Sequence, residues 1–148
     1  MKIVSIDQMR DLEARAEREL GMSSRVLMEN AGRSAADLFR RWAGEVAGKN
    51  AVLLIGPGNN GGDGLVIARH LQSWGMRVTL YLWKEAQIVL GGVGGLAIPV
   101  RDDLKHLRVA LASADYVFDA ILGTMQYPPS FCLRDPKCAS LSACILLA

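Results

Sequence analysis

An α/β fold built on a mainly parallel sheet is what this sequence predicts, and three observations carry the prediction. A continuous apolar run, AVLLI at 51–55, has no helical period and is bounded by Asn50 and Gly56. Such a run suits a strand buried on both faces of a parallel sheet. A glycine-rich stretch, GPGNNGGDG at 56–64, follows it directly. A helical segment and a second strand-like run, RVTLYLW at 77–83, then complete the strand–loop–helix–strand unit of doubly wound sheets.

The elements follow in chain order. Met9, Leu12, Ala16 and Leu20 recur at three- and four-residue intervals among charged residues, which predicts an amphipathic helix ended by Gly21. Ser23 or Ser24 can cap a second helix whose apolar positions are Leu27, Ala31, Ala35, Leu38, Phe39 and Trp42, closed by Gly44 and Gly48. After the first strand the glycine-rich stretch reads as a nine-residue loop, with a helix from 65 to 74 and then the second strand. A weaker third unit comprises a strand at 98–100, a helix near 103–112 and a strand at 116–118 before Asp119. Residues 84–96 fit no element. From Met125 onward neither period is visible, and this tail holds three of the five prolines and all three cysteines.

Composition bounds the function. The 148 residues are 51% hydrophobic and 22% charged, an ordinary globular balance. Seventeen basic against fifteen acidic residues give a net charge of +2, which offers no electrostatic case for nucleic acid or an anionic membrane. The N-terminus has no apolar core of a signal peptide, and the longest apolar stretch, 86–100, is glycine-broken and too short to span a bilayer. Cys132, Cys138 and Cys144 form neither a disulfide framework nor a zinc site. A reduced, cytoplasmic setting is the expectation.

The glycine-rich stretch sits where open α/β sheets bind ligands, after a buried strand and before a helix. Gly56, Gly58 and Gly61 formally satisfy G-x-G-x-x-G, with Glu85 at the end of the next strand, but Asp63 would set a carboxylate beside a pyrophosphate. No Gly-Lys-Ser/Thr follows, so a Walker phosphate loop is excluded. Asn59, Asn60 and Asp63 supply oxygens suited to a hard cation or a polyhydroxyl ligand. The alternative is a turn in which these residues only tolerate positive φ. His70 and His106 read as surface or packing residues.

GPGNNGGDGLVIARHL at 56–71 resembles the signature of the NAD(P)H-hydrate epimerase family, the YjeF N-terminal domain. IDQMRDLEARAERELG at 6–21, VLMENAG at 26–32 and FDAILGT at 118–124 are similar to further family stretches in the same order. The resemblance implies a Rossmann-like three-layer αβα sandwich. It also implies an isomerase that interconverts the R and S epimers of hydrated NADH and NADPH, which carry a hydroxyl at C6 of the nicotinamide ring. On that resemblance Asn59, Asn60, Gly61, Gly62 and Asp63 contact the substrate, and Gly123 and Thr124 approach its phosphates. Asn60 and Asp119 help hold one potassium ion per subunit; Glu29 is structural or a site residue, and Asn30 lines the pocket. A homodimer is compatible with this reading, as is a functional link to an ADP- or ATP-dependent dehydratase that removes the water. No nucleic acid or membrane partner is expected.

The resemblance runs from about residue 6 to Thr124 and then stops. The family's acid/base aspartate stands in a strand-end motif reading roughly V-D-I-P-S-G, and that string is absent, so no catalytic residue is assigned. Asp135, in Arg-Asp-Pro-Lys, reads as a turn. The expectation is an incomplete family domain over 1–124 with an atypical tail over 125–148, the register lost by frameshift, truncation or a misread gene end. Translating the downstream DNA in the other two frames tests this, and a strand followed by D-I-P-S-G is the expected find. Such a chain would lack C-terminal strands, leave an unpaired sheet edge and turn over little. Two other readings are a non-catalytic scaffold module of the same fold and a plain NAD-binding Rossmann domain.

Overall fold

A computed structural model of the chain describes residues 4–83, 96–99, 104–121 and 144–146. Helix α1 (Ile6–Leu20) starts at a capping box: the Ser5 hydroxyl accepts from the Gln8 amide while the Gln8 side chain accepts from the Ser5 amide at 2.7 Å. Gly21 ends it at φ 65°, the left-handed geometry that glycine adopts without a steric cost. Ser23 caps α2 (Ser24–Ala43). Then follow β1 (Asn50–Ile55), α3 (Asn59–Ser73), β2 (Arg77–Leu82), β3 (Leu96–Pro99), α4 (Lys105–Ala112), β4 (Tyr116–Ala120) and β5 (Cys144–Leu146).

The five strands form one sheet in the order β3-β2-β1-β4-β5, and every pairing is parallel. β1 is central, with Leu53 opposite Leu80 on one side and Phe118 on the other. One face of the sheet, carrying Leu53, Ile55, Leu80 and Phe118, packs on Ile67 and Leu71 of α3 and Phe39 of α2. The Phe39 ring meets Phe118 and Tyr116 edge-on at 5.0 and 4.9 Å. The opposite face is also buried, at Val52, Tyr81 and Val117. Both faces being covered accounts for the unbroken apolar run in β1.

Several expectations need correction. α2 buries Phe39 of the predicted stripe but leaves Leu38 and Trp42 63% and 66% exposed, and it buries Gly32 and Ala36, which the stripe did not include. The helix meets α3 so closely that small residues hold the contact, which an argument from large apolar side chains misses. α1 likewise leaves Met9, Leu12 and Leu20 exposed at 47%, 48% and 72%. The third unit runs over Leu96–Pro99, Lys105–Ala112 and Tyr116–Ala120, so Asp119 lies within its strand rather than after it. The tail, where no period was visible, contributes β5, which pairs with Val117, Phe118 and Asp119. Three residues are too few to display an alternation.

Candidate functional site at the carboxyl edge of the sheet

β1 and β4 end side by side, with Ile55 opposite Ala120 and the Gly56 amide donating to the Ala120 carbonyl at 3.0 Å. The chain leaves β1 through Gly56, Pro57 and Gly58 and enters α3 at Asn59. Gly58 is the N-cap and offers no side-chain bond. This corrects the nine-residue loop: only three residues link strand to helix, and Asn59 to Gly64 are helical. Proximity, not flexibility, demands the glycines. A Cβ at Gly56 would overlap the Ile121 carbonyl, and one at Gly61 the Gly56 carbonyl. One at Gly64 would sit 2.7 Å from the Ala120 methyl, and one at Gly62 would overlap the Met28 thioether. Among the described residues, positive φ occurs at Gly21, Gly44, Gly48, Gly75 and Leu104, all outside this run. The helix dipole still makes this end of α3 attractive to a polar or anionic group.

The sequence-derived residues separate into groups. Asn59 and Asp63 line a cleft of about 370 Å³ between α1, α2 and α3. α1 supplies Arg10, Glu13 and Glu17 to it, and α2 a floor of Leu27, Met28 and Ala31. These α1 residues were missed, because charged positions between apolar ones read as a solvated helix face. Asp63 is half-buried, and burial first, then the charge of Glu13, pushes its carboxyl up to about 6. Asn60 and Gly61 belong to the first turn of α3 and Gly62 faces Met28. Asp119 shares its sheet face with Leu54, opposite in register, and its Oδ1 accepts from the Ile121 amide at 3.0 Å. Strand alternation thus aims it away from the α3 face, although it stands at the same edge as Asn60. Gly123, Thr124, Glu85 and Asp135 lie outside the described residues.

Glu29 does not line this cleft. It ties α2 to α3 by a charged hydrogen bond from Arg69, with His70 Nε2 at 3.6 Å. The Arg69 bond, ahead of the opposing effect of burial, holds the Glu29 carboxyl below its usual range. Asn30 accepts from Arg33 at 3.3 Å and borders a separate depression with Ser23 and Val26. His106 is exposed on α4. Among the described residues no group of three His, Cys, Asp or Glu side chains is arranged to hold a metal, and no helix is long and apolar enough to cross a membrane.

This strand–glycine turn–helix edge lies within the reach of a family model. Residues 24–134 match the one described as YjeF-related protein N-terminus. The chain belongs to that family. Similar YjeF-related proteins include the NAD(P)H-hydrate epimerase of Nitrosopumilus maritimus, 40% identical over 82% of this chain and 59% of its own length. That of Elusimicrobium minutum is 36% identical over 83% and 61%. The bifunctional NAD(P)H-hydrate repair enzyme Nnr of Moorella thermoacetica is 37% identical over 84% of this chain and 26% of its own length. The chain therefore spans less than two thirds of these curated relatives. The crystal structure of yeast ynu0, YNL200c, superposes with a TM-score of 0.71 at 27% identity, over 94% of this chain and 63% of that one. A cinnamyl alcohol dehydrogenase of Sorghum bicolor, at TM-score 0.55 and 20% identity over 78% and 38%, shares the fold alone.

Proposed function

We propose that this chain is the epimerase part of a nicotinamide nucleotide repair system, interconverting the R and S epimers of hydrated NADH and NADPH. One observation carries the reading: the glycine turn and amino end of α3 lie at the carboxyl edge of β1, in a chain whose similar YjeF-related relatives are named NAD(P)H-hydrate epimerases. In this reading Asn59, Asn60, Gly61, Gly62 and Asp63 contact the substrate, and Gly123 and Thr124 take its phosphates.

Departure and return of the C6 hydroxyl on opposite ring faces needs a group that gives and retakes a proton. A potassium ion fits the donor chemistry of Asn60 and Asp119, an amide oxygen in the first turn of α3 and a carboxylate near the end of β4. When bound, it would supply positive charge close to substrate phosphates. A dehydratase, separate or on the same polypeptide, would consume one epimer, and the setting would be the cytoplasm.

The test is to give the protein the slow epimer of hydrated NADPH and follow its conversion by chromatography, with and without potassium. Binding of the hydrate with little conversion is the expected result for a sequence without the V-D-I-P-S-G string, and conversion well above the spontaneous rate would show the missing aspartate to be dispensable or replaced. A protein that neither binds the hydrate nor speeds its conversion overturns the reading.

A further inference from the structure

The cleft between α1, α2 and α3 is small for a dinucleotide. At about 370 Å³ it stands near the lower end of ligand cavities, which run from about 300 to 1,000 Å³. It admits one ring of a nucleotide and not the whole molecule. Its lining also has a sign: Glu13, Glu17 and Asp63 stand against Arg10 alone, and Arg10 has Asp7 at 3.9 Å. α2 contributes no charged side chain to this lining, only Ser24 beside its apolar floor. Carboxylates repel phosphate oxygens, whereas an apolar floor with polar groups at its rim suits a flat, neutral, hydroxylated ring.

Resting on the epimerase reading, we propose that α1 is a wall of the ligand site, with Glu13 facing Asp63 across the cleft, and that the cleft receives the uncharged ring end of the ligand while the phosphates lie outside it. Glu13 is then a positioning residue that acts through Asp63. Its negative charge adds to burial in favouring the protonated Asp63 carboxyl, which can donate a hydrogen bond to a ring hydroxyl. Arg10 and Glu17 are the other charged groups that share the cleft with this carboxyl.

Glu13 is exposed, so replacing it leaves the core intact. Affinity for hydrated NADPH is measured by calorimetry across the pH range in the full chain and in three variants. Glu13→Arg is expected to weaken binding about tenfold or more, by pairing with Asp63 and Glu17 and closing the cleft (about 1.4 kcal/mol per tenfold change). Glu13→Gln should move the pH midpoint of affinity downward from its wild-type position. Glu19→Gln, on the α1 face that pairs with Arg15 at 3.1 Å, should do neither. Tighter binding by Glu13→Arg would put the phosphates in the cleft and overturn the assignment, as would unchanged affinity or an unmoved midpoint in Glu13→Gln. A wild-type protein that binds no hydrate would instead fail the epimerase reading itself, and this inference with it.

Discussion

Gly61 and Gly62 are neighbours in the first turns of α3, yet a methyl group meets different obstacles at each. At Gly61 it runs into the Gly56 carbonyl, which is fixed by the turn out of β1; at Gly62 it meets the sulfur end of Met28, a side chain with several rotamers. Helix propensity favours alanine over glycine by about 1 kcal/mol at both positions. Gly61→Ala should therefore lose about 2–3 kcal/mol net, as overpacking against backbone does, while Gly62→Ala should stay within about 1 kcal/mol of the parent. Urea unfolding of both variants checks this, and equal losses would refute the packing account. Asp63 gives a second test with a defined sign. Its carboxyl is raised from 3.8 to about 6, so the folded state binds protons more tightly, and stability falls as pH rises through that window. Asp63→Asn should match the parent well below that window and exceed it by about 1 kcal/mol at about pH 8, a figure discounted for solvent screening of a half-exposed group. Unfolding curves at the two pH values decide it.

At the scale of elements, β1 and β2 were legible because burial on both faces writes an unbroken apolar run. The start of α3 was not. Six residues with three glycines look like a loop by propensity, and only the closeness of Ala120, Ile121 and Met28 explains why a helix begins there. The buried face of α2 was legible at Phe39 but not at Gly32, which carries no hydrophobic signal. Asn59 and Asp63 were found as polar residues at a strand end, but the cleft's other wall required knowing that α1 folds back beside them. The α2–α3 contact also has a polar tether, with Glu29 held by Arg69 and His70, and Arg40 stacked 4.9 Å from the Trp74 ring. The Glu29 carboxyl is lowered from 4.5, so the tether contributes above the usual carboxylate range and is lost as pH falls through the lowered value. Glu29→Gln should cost about 0.5 kcal/mol at neutral pH, because the pair is partly exposed. Thermal melts should show that cost fading in acid, and a pH-independent difference would mean that packing, not charge, sets it.

At the scale of the molecule, strand order decides where a ligand can sit. β1 connects through α3 to β2 on one side, while its other neighbour, β4, is reached only after β3 and α4. The connections thus diverge between β1 and β4, leaving a crevice at their carboxyl ends, and Gly56, Ala120 and Asp119 lie there. Sequence reading supplied the strand–helix units but not their spatial order, because parallel neighbours are chosen by crossovers and not by local pattern. The same order makes β1 the keystone of the core, with Leu53 fully buried between Leu80 and Phe118. Leu53→Ala should cost about 2–5 kcal/mol, since the surrounding sheet and α3 cannot collapse into the space. Leu38→Ala, on the exposed side of α2, should stay within about 0.5 kcal/mol. Chemical denaturation of the two variants compares them directly. A Leu53 loss no greater than that at Leu38 would mean that the β1 core is not what holds the two strand ends of the site together.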